Sequence, residues 1–243
     1  MLVKLKIKYI QSLGQKKFRD EEQVFIAEGP KIVKELLESD NADIKELFAV
    51  KEWIDENKDL TDRAEVIEIT EAELERISQL TTANKVLAVI RQFDKPKKII
   101  TKDKIVLALD MIQDPGNFGT IIRIADWFGI DQVVCNHGCA DIYNPKVVQA
   151  TMGSITRISV LYTDLEKWLK EINFPIYVTT LDGQDITSIK KIKEGIIVIG
   201  NESKGISGEI LQLAKIKLSI SKKGKAESLN AAVATGIILS HLV

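Results

Sequence analysis

One arginine stands among aliphatic residues in the C-terminal half of the chain. Arg123 lies between Ile122 and Ile124, at the end of the segment DMIQDPGNFGTIIR that begins at Asp110. A guanidinium group presents a rigid fork of N–H donors that matches phosphate oxygens, and its delocalised charge is tolerated in a partly buried site. We interpret Arg123 as a functional phosphate-binding side chain, and a structural ion pair is the alternative.

A glycine-rich segment lies further along the chain, after an apolar run. Residues 200–208 read GNESKGISG, and glycines allow a ligand to approach the backbone. Gly200 and Gly205 have the spacing that opens a P-loop, but a P-loop needs Lys after the second glycine, where this chain has Ile206. No G-x-G-x-x-G motif follows a predicted strand either. The sequence therefore argues against nucleoside triphosphate and dinucleotide sites.

A third polar segment precedes the last helix. Residues 226–236 read AESLNAAVATG, so small residues occupy nearly every turn of that helix and its backbone can approach another segment closely. Ser228 is either the helix N-cap or a functional hydroxyl. The segment follows a lysine-rich stretch with Lys222, Lys223 and Lys225.

The C-terminal region that carries these segments alternates apolar strands with helices. Strands are predicted at Ile105–Leu109, Gln132–Cys135, Ile176–Thr179, Ile196–Ile199 and Ile216–Ile220. Helices are predicted at Phe118–Phe128, Pro145–Thr151, Leu165–Ile172 and Ser228–Leu242. Uniformly apolar strands separated by helices indicate a parallel sheet covered on both faces, and ligands bind such sheets beyond the carboxyl ends of the strands. We expect the three polar segments to meet there.

The N-terminal region is a smaller α/β unit. Strands are predicted at Val24–Ala27, Glu46–Val50, Glu65–Ile69 and Val86–Ile90, and helices at Pro30–Leu37 and from Thr70 to Ile77. Thr70 and Glu73 have the spacing of a capping box. A lysine-rich stretch with Pro96 follows, so we expect a domain of residues 1–95, a linker of residues 96–104 and a second domain of residues 105–243.

Composition indicates a globular protein, and a cytoplasmic one. The 243 residues are 45% hydrophobic and 28% charged, with no apolar run long enough to span a bilayer. Cys135 and Cys139 are too few for a disulfide framework, and with His137 they lack a second cluster that would complete a zinc site, so no metal is expected. The net charge of −1 hides local basic clusters, among them six basic residues before Asp20.

Taken together, the three segments resemble a known family. A D-P-x-N-x-G-x-x-x-R segment, a G-N-E-x-x-G loop and an E-S-L-N segment, in that order, are similar to the three motifs of SpoU/TrmH-type RNA ribose methyltransferases. The match covers about Ile105 to Val243. The segments from Leu13 to Arg19 and from Val24 to Pro30 resemble the family's N-terminal substrate-binding domain.

The resemblance implies a fold, a cofactor and partners. It implies a ribosomal-protein-like α/β RNA-binding domain followed by a Rossmann-like parallel sheet with a deep C-terminal trefoil knot. It further implies a homodimer, S-adenosylmethionine as cofactor, and transfer of a methyl group to a ribose 2′-hydroxyl of RNA, with ribosomal RNA favoured over transfer RNA. The implied cofactor contacts are Gly200, Ile220, Leu229, Thr180 and Leu181, and the implied substrate and catalytic residues are Asn117, Arg123, Glu202, Ser228 and Asn230.

The sequence departs from the family pattern, and it leaves alternatives open. Ser221 and Lys222 stand where many relatives have Pro-Met, a change that affects substrate contacts more than backbone contacts to a cofactor. The resemblance implies that Arg123 is the general base, but a guanidinium stays protonated in proteins, so binding of a substrate phosphate is the alternative role. The rival functions are an inactive RNA-binding protein of the same fold and a methyltransferase that acts on something other than RNA.

Overall fold

The computed structural model describes residues 2–61, 64–96, 98–201 and 203–243. By their contacts these residues form two compact units. The first contains the chain up to Asp94 together with Asp141–Thr156, and the second contains Lys95–Ala140 together with Arg157–Val243. Within the described residues, no helix is both long and apolar enough to cross a bilayer.

Helices and strands alternate along both units. The first ten elements are α1 (Lys4–Ser12), α2 (Lys16–Glu22), β1 (Val24–Glu28), α3 (Pro30–Glu38), β2 (Ile44–Ala49), α4 (Lys51–Glu56), α5 (Lys58–Thr61), β3 (Val66–Glu68), α6 (Glu71–Ile77) and β4 (Val86–Arg91). The others are β5 (Ile105–Asp110), α7 (Pro115–Trp127), β6 (Gln132–Asn136), α8 (Pro145–Thr151), β7 (Ser159–Thr163), α9 (Leu165–Glu171), β8 (Ile176–Asp185), β9 (Gly195–Gly200), α10 (Gly208–Leu213), β10 (Ile216–Ser219) and α11 (Ala231–Leu242).

The first unit is built on a mixed sheet of four strands in the order β1-β4-β2-β3. Strand β4 runs antiparallel to β1 and β2, and β3 runs parallel to β2. The predicted capping box forms at the start of α6: the Glu73 N–H donates to the Thr70 hydroxyl, and the Thr70 N–H donates to the Glu73 carboxylate. The hydrogen bond from the Thr70 backbone, with that from Leu2, lowers the pKa of Glu73 to about 2.

The basic N-terminal segment contains one residue that is structural. Arg19 is 1% exposed, and its guanidinium donates to the carbonyls of Leu13 and Gly14 and to the Asp141 carboxylate, the last at 2.6 Å. Asp141 thereby fastens the start of the α8 segment within the first unit. Because the guanidinium is buried and both of its terminal nitrogens are bonded to these partners, Arg19 is not a phosphate ligand, although the sequence groups it with nearby lysines.

The second unit is a six-stranded sheet in the order β10-β8-β9-β5-β6-β7, and every pairing is parallel. The central strands are buried on both faces, as the neighbouring residues Val106 and Leu107 of β5 illustrate. Helices α9 and α10 cover one face through residues such as Leu169 and Ile210. The predicted parallel α/β architecture is therefore confirmed.

The structure corrects three details of the predicted second unit. Strand β7 was not predicted, because it is a partly exposed edge strand whose apolar run, Val160 to Tyr162, is short. Strand β8 continues to Asp185 rather than ending at Thr179, since β10 pairs with both of its halves across a register shift after Lys217. The last helix begins at Ala231 rather than Ser228, because the Asn230 side chain caps it by accepting from two backbone N–H groups.

Candidate functional site

A cavity of about 950 Å³ lies in the second unit, beyond the carboxyl ends of β9 and β10 and against the middle of β8. Its walls are the part of β8 from Thr179 to Asp182, the glycine-rich residues 200–208, called the second loop below, and residues 219–230 between β10 and α11, called the third loop. Residues 110–117, from the end of β5 into the first turn of α7, are called the first loop. This volume is in the range of small-molecule sites. The position agrees with the edge of the sheet to which the sequence assigned ligand binding.

The second loop folds tightly back on itself. The backbone of Asn201 both donates to and accepts from Gly205, at 3.0 and 2.9 Å. A Cβ atom on Gly200 would lie 2.6 Å from the Gly205 carbonyl carbon, and Gly205 itself has a φ of 69°, which favours glycine. Both glycines are therefore required by the shape of this wall.

The first loop braces the second loop from behind. The Asp110 carboxylate, 2% exposed at the end of β5, accepts from the Ser207 N–H at 2.8 Å. The Asn201 side chain donates to the Met111 carbonyl at 2.8 Å. Neither Asp110 nor Asn201 was predicted from the sequence as a site residue. The available signal was a carboxylate directly at the end of an otherwise apolar strand.

The third loop is fixed at both ends and exposed in between. At its start the Ser219 hydroxyl donates to the Gly183 carbonyl at 2.8 Å, and the Ser221 hydroxyl donates to the Asp185 carboxylate. The hydrogen bond from Ser221, with two from Thr187, lowers the pKa of Asp185 to about 2. Residues 221–230 are all exposed.

The far end of the third loop meets the first loop. The Asn230 side-chain amide donates to the side-chain oxygen of Asn117 at 2.7 Å, while its own side-chain oxygen caps α11. Asn117 in turn lies in the first turn of α7, where its N–H donates to Asp114 at 2.7 Å. The structure thus brings two predicted site residues from distant motifs into direct contact.

The predicted cofactor residues all line the cavity, and the predicted catalytic residues are more dispersed. The cavity is lined by Gly200, Ile220, Leu229, Thr180 and Leu181, and also by Ser228. Glu202 lies outside the described residues.

Arg123 is exposed on α7, whereas the sequence favoured a partly buried position. The inward face of α7 is occupied by apolar side chains such as Ile121 and Ile122, so the arginine projects away from the core. Within the described part of the chain, no ion pair involves Arg123, so the structural ion pair finds no support there. The arginine does not line the cavity.

Two models of known protein families match the chain. Residues 104–240, more than half of the chain, match the model of the SpoU rRNA Methylase family. The chain belongs to this family. In the N-terminal part of this SpoU methylase, residues 4–88 match a model described as the MRM3-like substrate binding domain.

Individual relatives resemble this SpoU methylase over nearly its whole length. A protein of Bacillus subtilis named 23S rRNA (guanosine(2553)-2′-O)-methyltransferase is 32% identical over 241 residues, which cover 98% of this chain and 95% of the relative. The structure of a Porphyromonas gingivalis protein of the TrmH family is 36% identical, with a TM-score of 0.86 over 99% of this chain and 98% of that one. An AdoMet-bound rRNA methyltransferase of Sinorhizobium meliloti is 30% identical, with a TM-score of 0.87 over 99% and 95%. The family predicted from the three segments is confirmed.

Proposed function

We propose that this chain is an S-adenosylmethionine-dependent methyltransferase that modifies a ribose 2′-hydroxyl of RNA, with ribosomal RNA favoured over transfer RNA. The observation that carries the proposal is the convergence of three loops at one edge of the parallel sheet. The second and third loops form the walls of the cavity, and the first loop braces one wall and contacts the end of the other through Asn117 and Asn230. The printed function of the Bacillus subtilis relative and the cofactor of the Sinorhizobium meliloti structure support the same activity.

The cavity has groups that fit S-adenosylmethionine. The Thr180 hydroxyl is buried beside it and, among the described residues, has no hydrogen-bond partner, so it is available to a polar ligand. Apolar side chains such as Ile220 and Leu229 offer contacts to an adenine ring. Gly200 and Gly205 leave the backbone accessible. We propose these residues, with Leu181, as the cofactor site.

When bound, this cofactor supplies an electrophilic methyl group on a sulfonium centre. The chain must hold the ribose hydroxyl in line with that group and exclude misaligned approaches. A guanidinium group is a poor proton acceptor, so we assign Arg123 to the phosphate next to the target ribose, where its fork neutralises charge. Asn117, Ser228 and Asn230 then position the ribose, and the 2′-hydroxyl proton leaves to that phosphate or to water. Glu202 keeps its sequence-based assignment to substrate.

We propose the family's finer architecture for this chain as well. The first domain, residues 1–95, is assigned to RNA binding, residues 96–104 to a linker, and residues 105–243 to a catalytic domain whose C-terminal segment forms a trefoil knot. The two family matches, at residues 4–88 and 104–240, support this division. Contacts of the last helix with distant parts of the chain support the knot: Asn230 bonds Asn117, and the Leu242 carbonyl accepts from Ile192.

A homodimer is part of the proposal, and exposed apolar side chains on α7 and α11 support it. These two helices pack together, with Ile124 of α7 next to Gly236 of α11. Beside this contact Trp127 is 84% exposed, and Val233 and Ile237 are 52% and 37% exposed. Large exposed apolar residues on adjoining helices are typical of an interface.

We expect Trp127→Glu to convert a dimer into a monomer, because a carboxylate would be desolvated at the centre of this surface. Size-exclusion chromatography with light scattering measures the mass directly. Leu5→Glu is the matched control, since Leu5 is 79% exposed on α1 and belongs to neither of these helices, so the mass should stay unchanged. A Trp127→Glu protein that remains dimeric would place the interface elsewhere.

We propose that the protein is cytoplasmic, so its activity is tested on cytoplasmic RNA. We expect the purified chain to bind S-adenosylmethionine in calorimetry and to restore a missing 2′-O-methyl group in total RNA from cells that lack the gene. Absence of cofactor binding would favour the inactive RNA-binding protein. Cofactor binding with no change at any RNA ribose would favour a methyltransferase with another substrate.

A further inference from the structure

We infer that three lysines of the third loop, Lys222, Lys223 and Lys225, form a phosphate-binding surface that holds the substrate RNA beside the cavity. This inference rests on the proposed function and specifies how the same site grips its substrate. The three residues are called the third-loop lysines below.

The third-loop lysines lie on the rim of the cavity or within two residues of it. All three are exposed, and Lys222 and Lys223 line the cavity rim. Lys204 of the second loop lies on the same rim. Within the described part of the chain, none of these ammonium groups forms an ion pair. Unpaired lysines are available to phosphate oxygens, which supply most of the affinity in nucleic-acid binding.

The carboxylates of this rim do not cancel that charge. Asp182 and Glu227 also line the cavity, but the lysines outnumber them among the described side chains. Asp185 is already occupied, since it accepts from the hydroxyls of Ser221 and Thr187. The low pKa of Asp185, caused first by the Ser221 hydrogen bond, keeps it charged and bonded at neutral pH.

Side-chain hydrogen bonds anchor both ends of the third loop and so hold its lysines beside the cavity. Ser221 is tied to Asp185 immediately before the first lysine, and Asn230 is tied to Asn117 after the last. Asn117 and Asn230 are proposed substrate residues, so the loop runs from the cavity rim to the catalytic end of the site. Lysines on such a loop are placed to contact phosphates beside the target nucleotide.

The test compares two triple variants with the same change of net charge. Lys222→Gln/Lys223→Gln/Lys225→Gln removes the third-loop lysines. Lys102→Gln/Lys190→Gln/Lys193→Gln removes three exposed lysines of the same unit that lie outside the cavity lining, in the segments before β5 and β9. For each protein the KM for RNA is measured at several salt concentrations, together with the affinity for S-adenosylmethionine.

We expect the third-loop variant to raise the KM for RNA on the order of tenfold to a hundredfold and to flatten the slope of log affinity against log salt by roughly two. The control variant should change both by much less. Equal effects in the two variants would show that RNA binding depends on the net charge of the protein and not on the position of these lysines, and would overturn the inference. A larger loss of cofactor affinity than of RNA affinity would overturn it as well. If the unaltered protein methylates no RNA, the proposed function itself fails.

Discussion

Arg123→Ala should lose methyl transfer by a factor of about a hundred to a thousand while it keeps its affinity for S-adenosylmethionine. Arg123 is exposed and does not line the cavity, so its removal leaves the cofactor walls and the packing of α7 intact. What is lost is a charged fork that holds the phosphate next to the target ribose, and with it the alignment of the hydroxyl. Single-turnover methyl transfer measures the first quantity and calorimetry the second.

Arg157→Ala is the matched control for this loss. Arg157 is another partly exposed arginine of the same unit, but its guanidinium is paired with Asp126 of α7 at 2.9 Å. Its removal should leave the single-turnover rate near that of the unaltered protein. An Arg123→Ala enzyme with the same rate as Arg157→Ala would remove Arg123 from catalysis altogether.

Arg123→Lys separates the two roles of the arginine. A lysine keeps the positive charge but has no fork, and its pKa lies below that of arginine. If Arg123 binds phosphate, the variant should recover part of the rate with an unchanged dependence on pH. If Arg123 is the general base, the rate should instead follow the titration of the new ammonium group at high pH.

The sheet of the second unit could be predicted from sequence because its central strands are apolar throughout. The predicted strand Ile196–Ile199 corresponds to β9, which spans Gly195–Gly200. Strand β7 was not predicted because this edge strand is only partly buried and its apolar run is three residues long. In the first unit, the start of α6 could be predicted because the capping box at Thr70 is a local pattern that needs no tertiary context.

Site residues could be predicted from the sequence where they belong to a motif, but not where their role depends on a contact between distant parts of the chain. Gly200 of the second motif and Ser228 and Leu229 of the third motif line the cavity, because both motifs follow strands that end at one edge of the sheet, whereas no described residue of the first motif lines it. The tie between Asn117 and Asn230 joins positions 113 residues apart, and no local pattern encodes such a separation. The same holds for Asp110, whose role depends on the Ser207 N–H of a distant loop.

Ser228 was a candidate N-cap of the last helix, but Asn230 caps that helix instead. A serine before a helix of small residues is a reasonable N-cap, and its position alone cannot distinguish it from Asn230 two residues later. In the structure the Asn230 oxygen accepts from Ala232 and Val233, so the helix begins after it. This leaves Ser228 on the cavity wall, where its hydroxyl is available for the substrate role proposed above.

Gly200→Ala should weaken S-adenosylmethionine binding on the order of tenfold to a hundredfold. The added Cβ would lie 2.6 Å from the Gly205 carbonyl carbon and 2.6 Å from the Ile206 side chain, so the loop backbone must move. Overpacking of this kind costs about 1–3 kcal/mol, which corresponds to that loss of affinity if the binding conformation bears the strain. Calorimetry measures the affinity, and thermal unfolding reports whether the fold itself has weakened.

The strain at Gly200 cannot be relieved within the loop, because the loop is tied to its neighbour on both sides of the turn. Asn201 is held by the Met111 carbonyl and Ser207 by the Asp110 carboxylate, so a displaced loop also disturbs the first motif. Gly208→Ala is the control: among the described residues, apart from its chain neighbours and the backbone of its own helix, no atom lies within 4 Å of the added Cβ, and alanine suits the first turn of α10. If both variants bind S-adenosylmethionine like the unaltered protein, the second loop does not form the cofactor wall.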